Sequence, residues 1–385
     1  MYKSRLLILT FIVILAITGI FLKAELENAA EKSFWGDEIH GMTQTAKAPY
    51  MDLFVNGARG QGSPSPLDYL ALKAFIQMNT QVHQFGLKSE AYFRLFPIAV
   101  TSLAVIIVCG MFLFQFCRTR MAIAIRLTQC LLVACIPVAF LFSRMVYYYA
   151  AETRPYALWN ALWFVALAAG LAVKRDRFPT GLVIVLILLA MSATASLFQV
   201  AVMNAAYIIC FWNKAQMREI LIRALKMFGV PFLIAVYYSI RAGQWHDTGS
   251  GGTREDFFEM WFHKSSIIPL MLGACALCYL KEENRSYVLV PLTFLLLYFM
   301  GPVIYAVTVM KGFFYVERQY AYYDLVYAVF LLVLVRCLPA YVECIKSKAL
   351  FVIVLLVFLS TGLSFTFRPK VTDKLVKSFQ MAARQ

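Results

Sequence analysis

From Leu6 to Leu22 the chain carries no charged side chain, and apolar blocks of similar length recur almost to its end. A helix needs about 20 mainly apolar residues to cross a hydrocarbon core of roughly 30 Å. In lipid, every backbone N–H and C=O must be satisfied internally. Blocks of this length without strict alternation therefore read as helices. Of the 385 residues, 61% are hydrophobic and 15% charged, more apolar surface than a soluble domain of this size could bury. The expected fold class is an all-α polytopic membrane protein.

About eleven spans follow from the apolar runs: Leu6–Leu22, Tyr92–Phe116, Ile123–Phe142, Tyr156–Val173, Thr180–Ala195, Leu197–Trp212, Leu225–Ile240, Ser266–Leu280, Tyr287–Tyr305, Tyr320–Leu338 and Ala349–Leu363. Thr180–Trp212 is too long for one span and is split near Ser192–Gln199, where Ser, Thr and Gln gather. The first span lacks a small-residue cleavage site and reads as an uncleaved signal anchor. The expected organisation is a transmembrane domain over 1–367, with a first long loop at 23–91, and a basic tail at 368–385.

Lys and Arg cluster in alternate short connections, around Lys3, Arg118, Lys174, Arg218, Lys281 and Arg336. Such connections stay cytoplasmic. The N-terminus is thus expected in the cytoplasm of an inner-membrane protein, and Lys23–Ala91, Ser143–Pro155, Arg241–Ser265 and Ala306–Gln319 outside. Eleven spans also place the basic tail outside, against that rule; a surface helix or one miscounted span would remove the conflict. The formal net charge of +15 is spread over these topology signals, which argues against nucleic-acid binding. Nine cysteines are present, none in an outward loop, so no disulfide framework is implied. Cys275 and Cys278 form a C-x-x-C inside an apolar run and read as small packing residues.

The chemically loaded segments all fall on the outward side. The first loop contains Phe34-Trp35-Gly36-Asp37-Glu38-Ile39-His40. On a helix Asp37 and His40 share a face while Glu38 points about 100° away, so one carboxylate can face a cleft while its neighbour bonds the scaffold. The same loop continues Ser65-Pro66-Leu67-Asp68-Tyr69, where Pro66 is placed to start a helix over Leu67–Met78 lying along the membrane surface. The second loop carries Glu152-Thr153-Arg154-Pro155-Tyr156. Pro155 biases Arg154 towards extended backbone, which would project Glu152 and Arg154 to one side. In the fourth, which leads into Tyr320, Lys311 and Arg318 sit where a lipid phosphate would lie, and arginine suits phosphate through its planar fork. Each segment also has a plain reading: a solvated juxtamembrane helix with Trp35 in the interfacial belt, a turn and an interfacial helix, an aromatic belt with a local ion pair, and an aromatic belt with snorkelling cations. The third loop, with Thr248-Gly249-Ser250-Gly251-Gly252-Thr253, lacks a P-loop ending and reads as a mobile loop or lid.

In this order the segments resemble the GT-C superfamily of polyprenyl-phosphate-sugar-dependent glycosyltransferases, in particular the bacterial relatives of protein O-mannosyltransferases and aminoarabinose transferases. Asp37-Glu38 is similar to the family's acidic pair, Ser65-Pro66-Leu67-Asp68-Tyr69 to its Pro-Pro-Leu-x-Tyr segment, and Glu90–Pro97 to its acidic-to-Arg-Leu-Pro stretch. Glu152–Tyr156 resembles Glu-x-Arg-Pro-Tyr, and Arg318 with Tyr320 the late Arg-Tyr motif. The likeness covers roughly Phe34–Trp163 and the surroundings of Arg318. Ser65 stands for a proline, Gln199 lies where relatives often carry histidine, and Gln319 separates Arg318 from Tyr320.

The resemblance implies a GT-C-like fold with juxtamembrane helices in the first loop. It implies transfer of a sugar from a polyprenyl-phosphate donor to an acceptor hydroxyl on a lipid, glycan or protein, with inversion, on the extracytoplasmic side of the bilayer. Proton removal needs a positioned carboxylate, and the departing phosphate needs Arg, Lys or a metal. The expected roles are Asp37 as general base, Glu38 shaping that site, and Glu152, Arg154, Lys311, Arg318 and Tyr320 around the donor phosphate. His40 and Tyr69 are candidates to touch the acceptor. No certain cofactor follows; a divalent metal is compatible with the chemistry, but a lone histidine beside two acids assigns no ligands. A polyprenyl-linked glycan flippase or transporter and an O-antigen polymerase or ligase are the competing readings. Transporters tend to place ionisable residues near the midplane, whereas here the acids gather at one mouth.

Overall fold

The computed structural model describes residues 2–57, 66–82, 86–118, 123–174, 177–241, 253–310 and 317–342, and among these every regular element is helical. The chain opens with α1 (Tyr2–Glu31), followed in the first connection by α2 (Gly36–Lys47), α3 (Tyr50–Asn56) and α4 (Pro66–Val82). Next come α5 (Ser89–Arg118), α6 (Ile123–Leu141), α7 (Arg144–Ala150), α8 (Tyr156–Gly170), α9 (Thr180–Ala190), α10 (Ser196–Cys210) and α11 (Met217–Arg241). The last group is α12 (Arg254–His263), α13 (Ile267–Tyr279), α14 (Leu289–Phe299), α15 (Gly301–Met310) and α16 (Val326–Val342). A 3₁₀ segment, Glu317–Leu325, precedes α16 and kinks at Tyr320.

These helices belong to a membrane protein by the distribution of their side chains. In α1, Leu7, Ile14 and Phe21 are buried, while Ile8 is 59%, Ile12 54% and Ile20 63% exposed. A helix apolar on its outward face as well as its inward one is unstable in water and at home in lipid. Inside the apolar helices the hydroxyls of Thr10, Thr18, Thr101, Ser102 and Thr293 donate to carbonyls four residues back, which satisfies them where no water is present.

Four helical stretches among the described residues are long and apolar enough to cross a membrane, or seven if each of three bent pairs counts as one span. This is fewer than the expected eleven. Tyr156–Gly170, Thr180–Ala190 and Ser196–Cys210 are apolar but shorter, and Ala349–Leu363 lies outside the described residues, as does the 368–385 tail. The break between α9 and α10 falls at 191–195, overlapping the Ser192–Gln199 region where the polar residues gather.

Two expected loops contain helix. In the second connection, 144–150 forms α7. In the third, Thr253 caps α12: its hydroxyl accepts from Asp256 N at 3.2 Å while the Asp256 carboxylate accepts from Thr253 N at 2.6 Å. This reciprocal capping box was legible as Thr-x-x-Asp and outweighed the glycines before it; 242–252 lie outside the described residues. The run Tyr287–Tyr305 is bent by 48° between α14 and α15. Gly301 begins α15, and a Cβ there would stand 2.5 Å from the Tyr323 hydroxyl, so only glycine allows this approach.

Helix α1 packs on α5 and α6, α5 on α8, α6 on α16, and α10 on α11 and α14. The core between them is large and aromatic, with Trp159, Trp163, Tyr92, Phe140 and Phe164 fully buried and Phe140 stacked on Phe164 at 4.2 Å.

Candidate active site

Glu38 lies in the first turn of α2 and is 1% exposed. Its carboxylate accepts from Arg94 Nε at 3.2 Å and Nη2 at 2.7 Å, from Thr153 N at 2.8 Å and Oγ1 at 3.0 Å, and from Trp35 N at 3.0 Å. Burial alone would raise its pKa. The Arg94 fork, the Arg94 charge and the two backbone N–H groups outweigh burial and hold the carboxyl below the usual range. Arg94, with no exposed surface, donates further to the carbonyls of Ala29, Lys32 and Ser33. These carbonyls lie at and just beyond the C-terminus of α1, where orphan acceptors favour a cation. One ion pair thus ties together the end of α1, the start of α2, the start of α5 and the segment before α8.

Asp37, one residue earlier, points elsewhere. Its Oδ2 stands 3.0 Å from Arg154 Nη1, and the two side chains are 46% and 12% exposed. The adjacent acids therefore divide: Glu38 is sealed into the scaffold, and Asp37 stands at a surface beside a mostly buried arginine. Arg154 also lies over the Tyr156 ring, 5.4 Å from its centroid.

Glu152 is buried and paired with Lys32 Nζ at 2.9 Å. Between it and Arg154 the chain turns, with Arg154 N donating to Glu152 O at 2.8 Å, so the two side chains are not set by a simple extended alternation. Lys32 is Glu152's ion-pair partner, and Lys32 also lies over the rings of Trp35 and Tyr148.

Asp68 and Tyr69, in the first turn of α4, complete the surroundings of Arg154. Asp68 is 4% exposed. Burial pushes its carboxyl up to about 7, with Arg154 pulling the other way. Tyr69 is 3% exposed and packs with Leu53 and Leu72; burial first, then Asp68, raises its phenol, while Arg154 lowers it. The start of α4 is anchored by Leu67 N donating to Met191 O at 3.3 Å, where α9 ends.

The other expected site residues are placed less closely. His40 is exposed on α2. Tyr320 is buried among aromatics, 5.4 Å from the Phe257 ring and 5.8 Å from that of Tyr323; its neighbour Tyr322 reaches Trp159 at 5.5 Å, and the Trp159 indole donates to Gln199 at 2.7 Å. Lys311 and the Arg318 side chain lie outside the described residues. Among the described residues no group of three or more His, Cys, Asp or Glu side chains is placed to hold a metal ion.

The expected outward connections meet at this end of the bundle. Besides the contacts above, Arg144 pairs with Glu317 at 3.1 Å. Asp324 accepts from Met145 N at 3.1 Å and pairs with Lys264. Tyr238 on α11 donates to Phe54 O on α3 at 2.7 Å. Arg94, Thr153 and Asp68 stand inside the quoted motifs but were given no role of their own, and Lys32 was not singled out. A charged residue two positions into an apolar run was a further signal for Arg94. The roles of Lys32 and Thr153 depend on partners up to about 120 positions away in the chain.

No protein-family model matches the chain, and neither a curated protein nor a solved structure matches it.

Proposed function

We propose that this chain is a membrane glycosyltransferase that moves a sugar from a polyprenyl-phosphate donor to an acceptor hydroxyl. In this reading it crosses the inner membrane about eleven times, with its N-terminus in the cytoplasm and Asp37 on the extracytoplasmic face. The observation that carries it is the division of the acidic pair. Glu38 is consumed by five hydrogen bonds from Arg94, Thr153 and Trp35, while Asp37 stays half-exposed against Arg154.

Asp37 accepts the acceptor's hydroxyl proton as the new bond to the anomeric carbon forms on the face opposite the breaking bond to phosphate oxygen. The electron pair of that broken bond leaves on the polyprenyl phosphate. Arg154 holds the phosphate charge, and its mostly buried position strengthens this, because a low-dielectric surround weakens screening. Arg154 is paired with Asp37 in this structure, so a phosphate drawing on Arg154 also loosens Asp37 for its role as base. Glu38 and Arg94 fix the backbone around both. Glu152 and Lys32 flank the arginine, and Lys311, Arg318 and Tyr320 are assigned to the donor side.

The test uses the full chain in nanodiscs, offered radiolabelled polyprenyl-phosphate sugars with total membrane lipids and polysaccharide as acceptors, with and without chelator. Wild type should transfer label. Asp37→Asn should insert and accumulate normally but lose about 10²–10⁴-fold in rate, the usual contribution of a general base. Near-normal product from Asp37→Asn removes the base assignment. Neither transfer nor donor hydrolysis across the panel removes the enzyme reading in favour of a flippase.

A further inference from the structure

Three carboxylates, Asp37, Glu152 and Asp68, face Arg154, and the nearby second cation, Lys32, is paired with Glu152. Glu38 and Arg94 cancel each other. With all three acids ionised, the cluster holds one more negative charge than positive, a poor setting for an anionic phosphate. Asp68 is the acid that differs from the other two. Asp37 is half-exposed and ion-paired, and Glu152 is hydrogen-bonded to a lysine. Asp68 is 4% exposed, and among the described residues no hydrogen bond reaches its carboxylate; Arg154 is its one charged counterpart. A buried carboxylate without a hydrogen bond is costly when ionised and tends to take up a proton.

We propose that Asp68 is a proton-holding positioning residue for Arg154: neutral, it leaves the guanidinium available to an anionic phosphodiester, and ionised, it competes for that guanidinium. The proposal rests on the reading of Arg154 as the donor-phosphate site. Arg154, which precedes α8, is the charged group that acts on Asp68. Tyr69, its neighbour on α4, is in turn acted on by Asp68, Arg154, Tyr156 at the start of α8 and Asp37 on α2. Lys73, on α4 itself, is held by the carbonyls of Thr45 and Ala46; on the flanking elements, Asp52 on α3 accepts from Asn56 at 2.7 Å, and Arg94 on α5 is committed to Glu38. Two effects favour the ionised form, the Arg154 charge and the position of Asp68 in the first turn of a helix. Burial opposes both, and the carboxyl sits near neutrality.

The test measures binding of a fluorescent dialkyl phosphodiester lipid to the full chain in nanodiscs from pH 6 to 8. This probe has one acid group, ionised throughout the range, so its own charge does not change. Wild-type affinity should fall about tenfold between pH 6 and pH 8, the loss for one competing proton released near the middle of the range. Asp68→Asn should bind with no such fall, and Asp68→Glu should restore one. The same pH dependence in Asp68→Asn as in wild type overturns the proposal. If wild type does not bind the probe at any pH, the phosphate-site reading fails separately. Infrared difference spectra then decide on Asp68: a protonated-carboxyl band lost between pH 6 and 8 in wild type and missing from Asp68→Asn supports the proton, and no such band overturns it.

Discussion

At the end of the bundle that carries Asp37, distant segments are joined by ion pairs: Lys32–Glu152, Arg94–Glu38, Arg154–Asp37, Lys264–Asp324 and Arg144–Glu317. At the other end, polar side chains mostly donate to backbone carbonyls instead. Arg223 bonds the carbonyls of Lys174 and Arg177, Asn284 that of Cys337, Gln129 that of Val335 and Tyr341 that of Leu277, while Arg336 donates to the Gln115 side chain. Among the described residues the ion pair found there, Arg285–Glu282, is local and spans three positions. The difference follows from where the acids are. The basic end has few carboxylates to neutralise its cations, so it keeps a net positive charge, in keeping with the cytoplasmic side proposed for it. The acidic end converts its carboxylates into a framework, leaves Asp37 half-open and, among the described residues, gives the Asp68 carboxylate no hydrogen bond.

The comparison breaks first if the buried pair at the acidic end proves dispensable. Arg94→Leu leaves Glu38 as an unpaired buried charge and removes the donor from three carbonyls at the end of α1. Breaking one side of a buried pair costs about 3–5 kcal/mol, enough to consume much of the margin of a typical fold. The variant should fail to accumulate as a monodisperse species in fluorescence-detected size-exclusion chromatography. A wild-type elution profile and yield would mean that this end is held by its apolar contacts and that the ion pairs are secondary.

A second effect separates Asp68 from the framework acids. Its carboxyl keeps a proton up to about 7 in the folded chain, against 3.8 for an ordinary aspartate. Between these values the folded state binds more protons than the unfolded one, so this residue makes stability fall as pH rises through the window. Below it Asp68 is neutral in both states and contributes nothing; above it the penalty is complete. Asp68→Asn should match wild type near pH 4 and melt higher, by on the order of 5 °C, at pH 8. Glu38 has the opposite sign, because its folded pKa is depressed; its stabilisation is present at neutral pH and is lost as pH falls. Melting curves of the detergent-solubilised chain at three pH values would distinguish them. An Asp68→Asn gain that does not change with pH would point to packing instead of charge.

The sequence carried the parts of this architecture that depend on local composition. Apolar length located the membrane helices, the polar cluster at Ser192–Gln199 located the break between α9 and α10, and helical spacing separated Asp37 from Glu38. Length alone did not show local breaks. Tyr287–Tyr305 bends at Gly301, and Tyr320–Leu338, which lies within the single candidate span Gln319–Tyr341, begins as a 3₁₀ segment kinked at Tyr320. The α12 helix was hidden by the glycines before it, although its Thr253–Asp256 cap was written in the chain. Partner choice was the least legible. Glu152 and Arg154 look like a local pair, but each is bound across the fold, to Lys32 and to Asp37. Asp68 looks like an ordinary first-turn acid, and only the packing of α4 against its neighbours buries it beside Arg154.

The smallest expected effect tests whether the framework extends to the rim. Arg144 and Glu317 lie 3.1 Å apart with side chains 48% and 35% exposed, so their attraction is screened and offset by side-chain ordering. Such pairs contribute about 0.2–1 kcal/mol. A double-mutant cycle with Arg144→Ala and Glu317→Ala should return a coupling in that range and should weaken at high salt. The neighbouring pair, Lys264–Asp324, is more buried and also caps α7 through Met145 N, so it supplies the internal standard for a stronger link between the same loops. A coupling above about 2 kcal/mol for Arg144–Glu317 would mean that lipid headgroups or packed loops shield the rim from water, and that the acidic end is rigid to its edge. A coupling near zero would confine the framework to the buried pairs around Glu38 and leave the rim free to move around whatever binds beside Asp37.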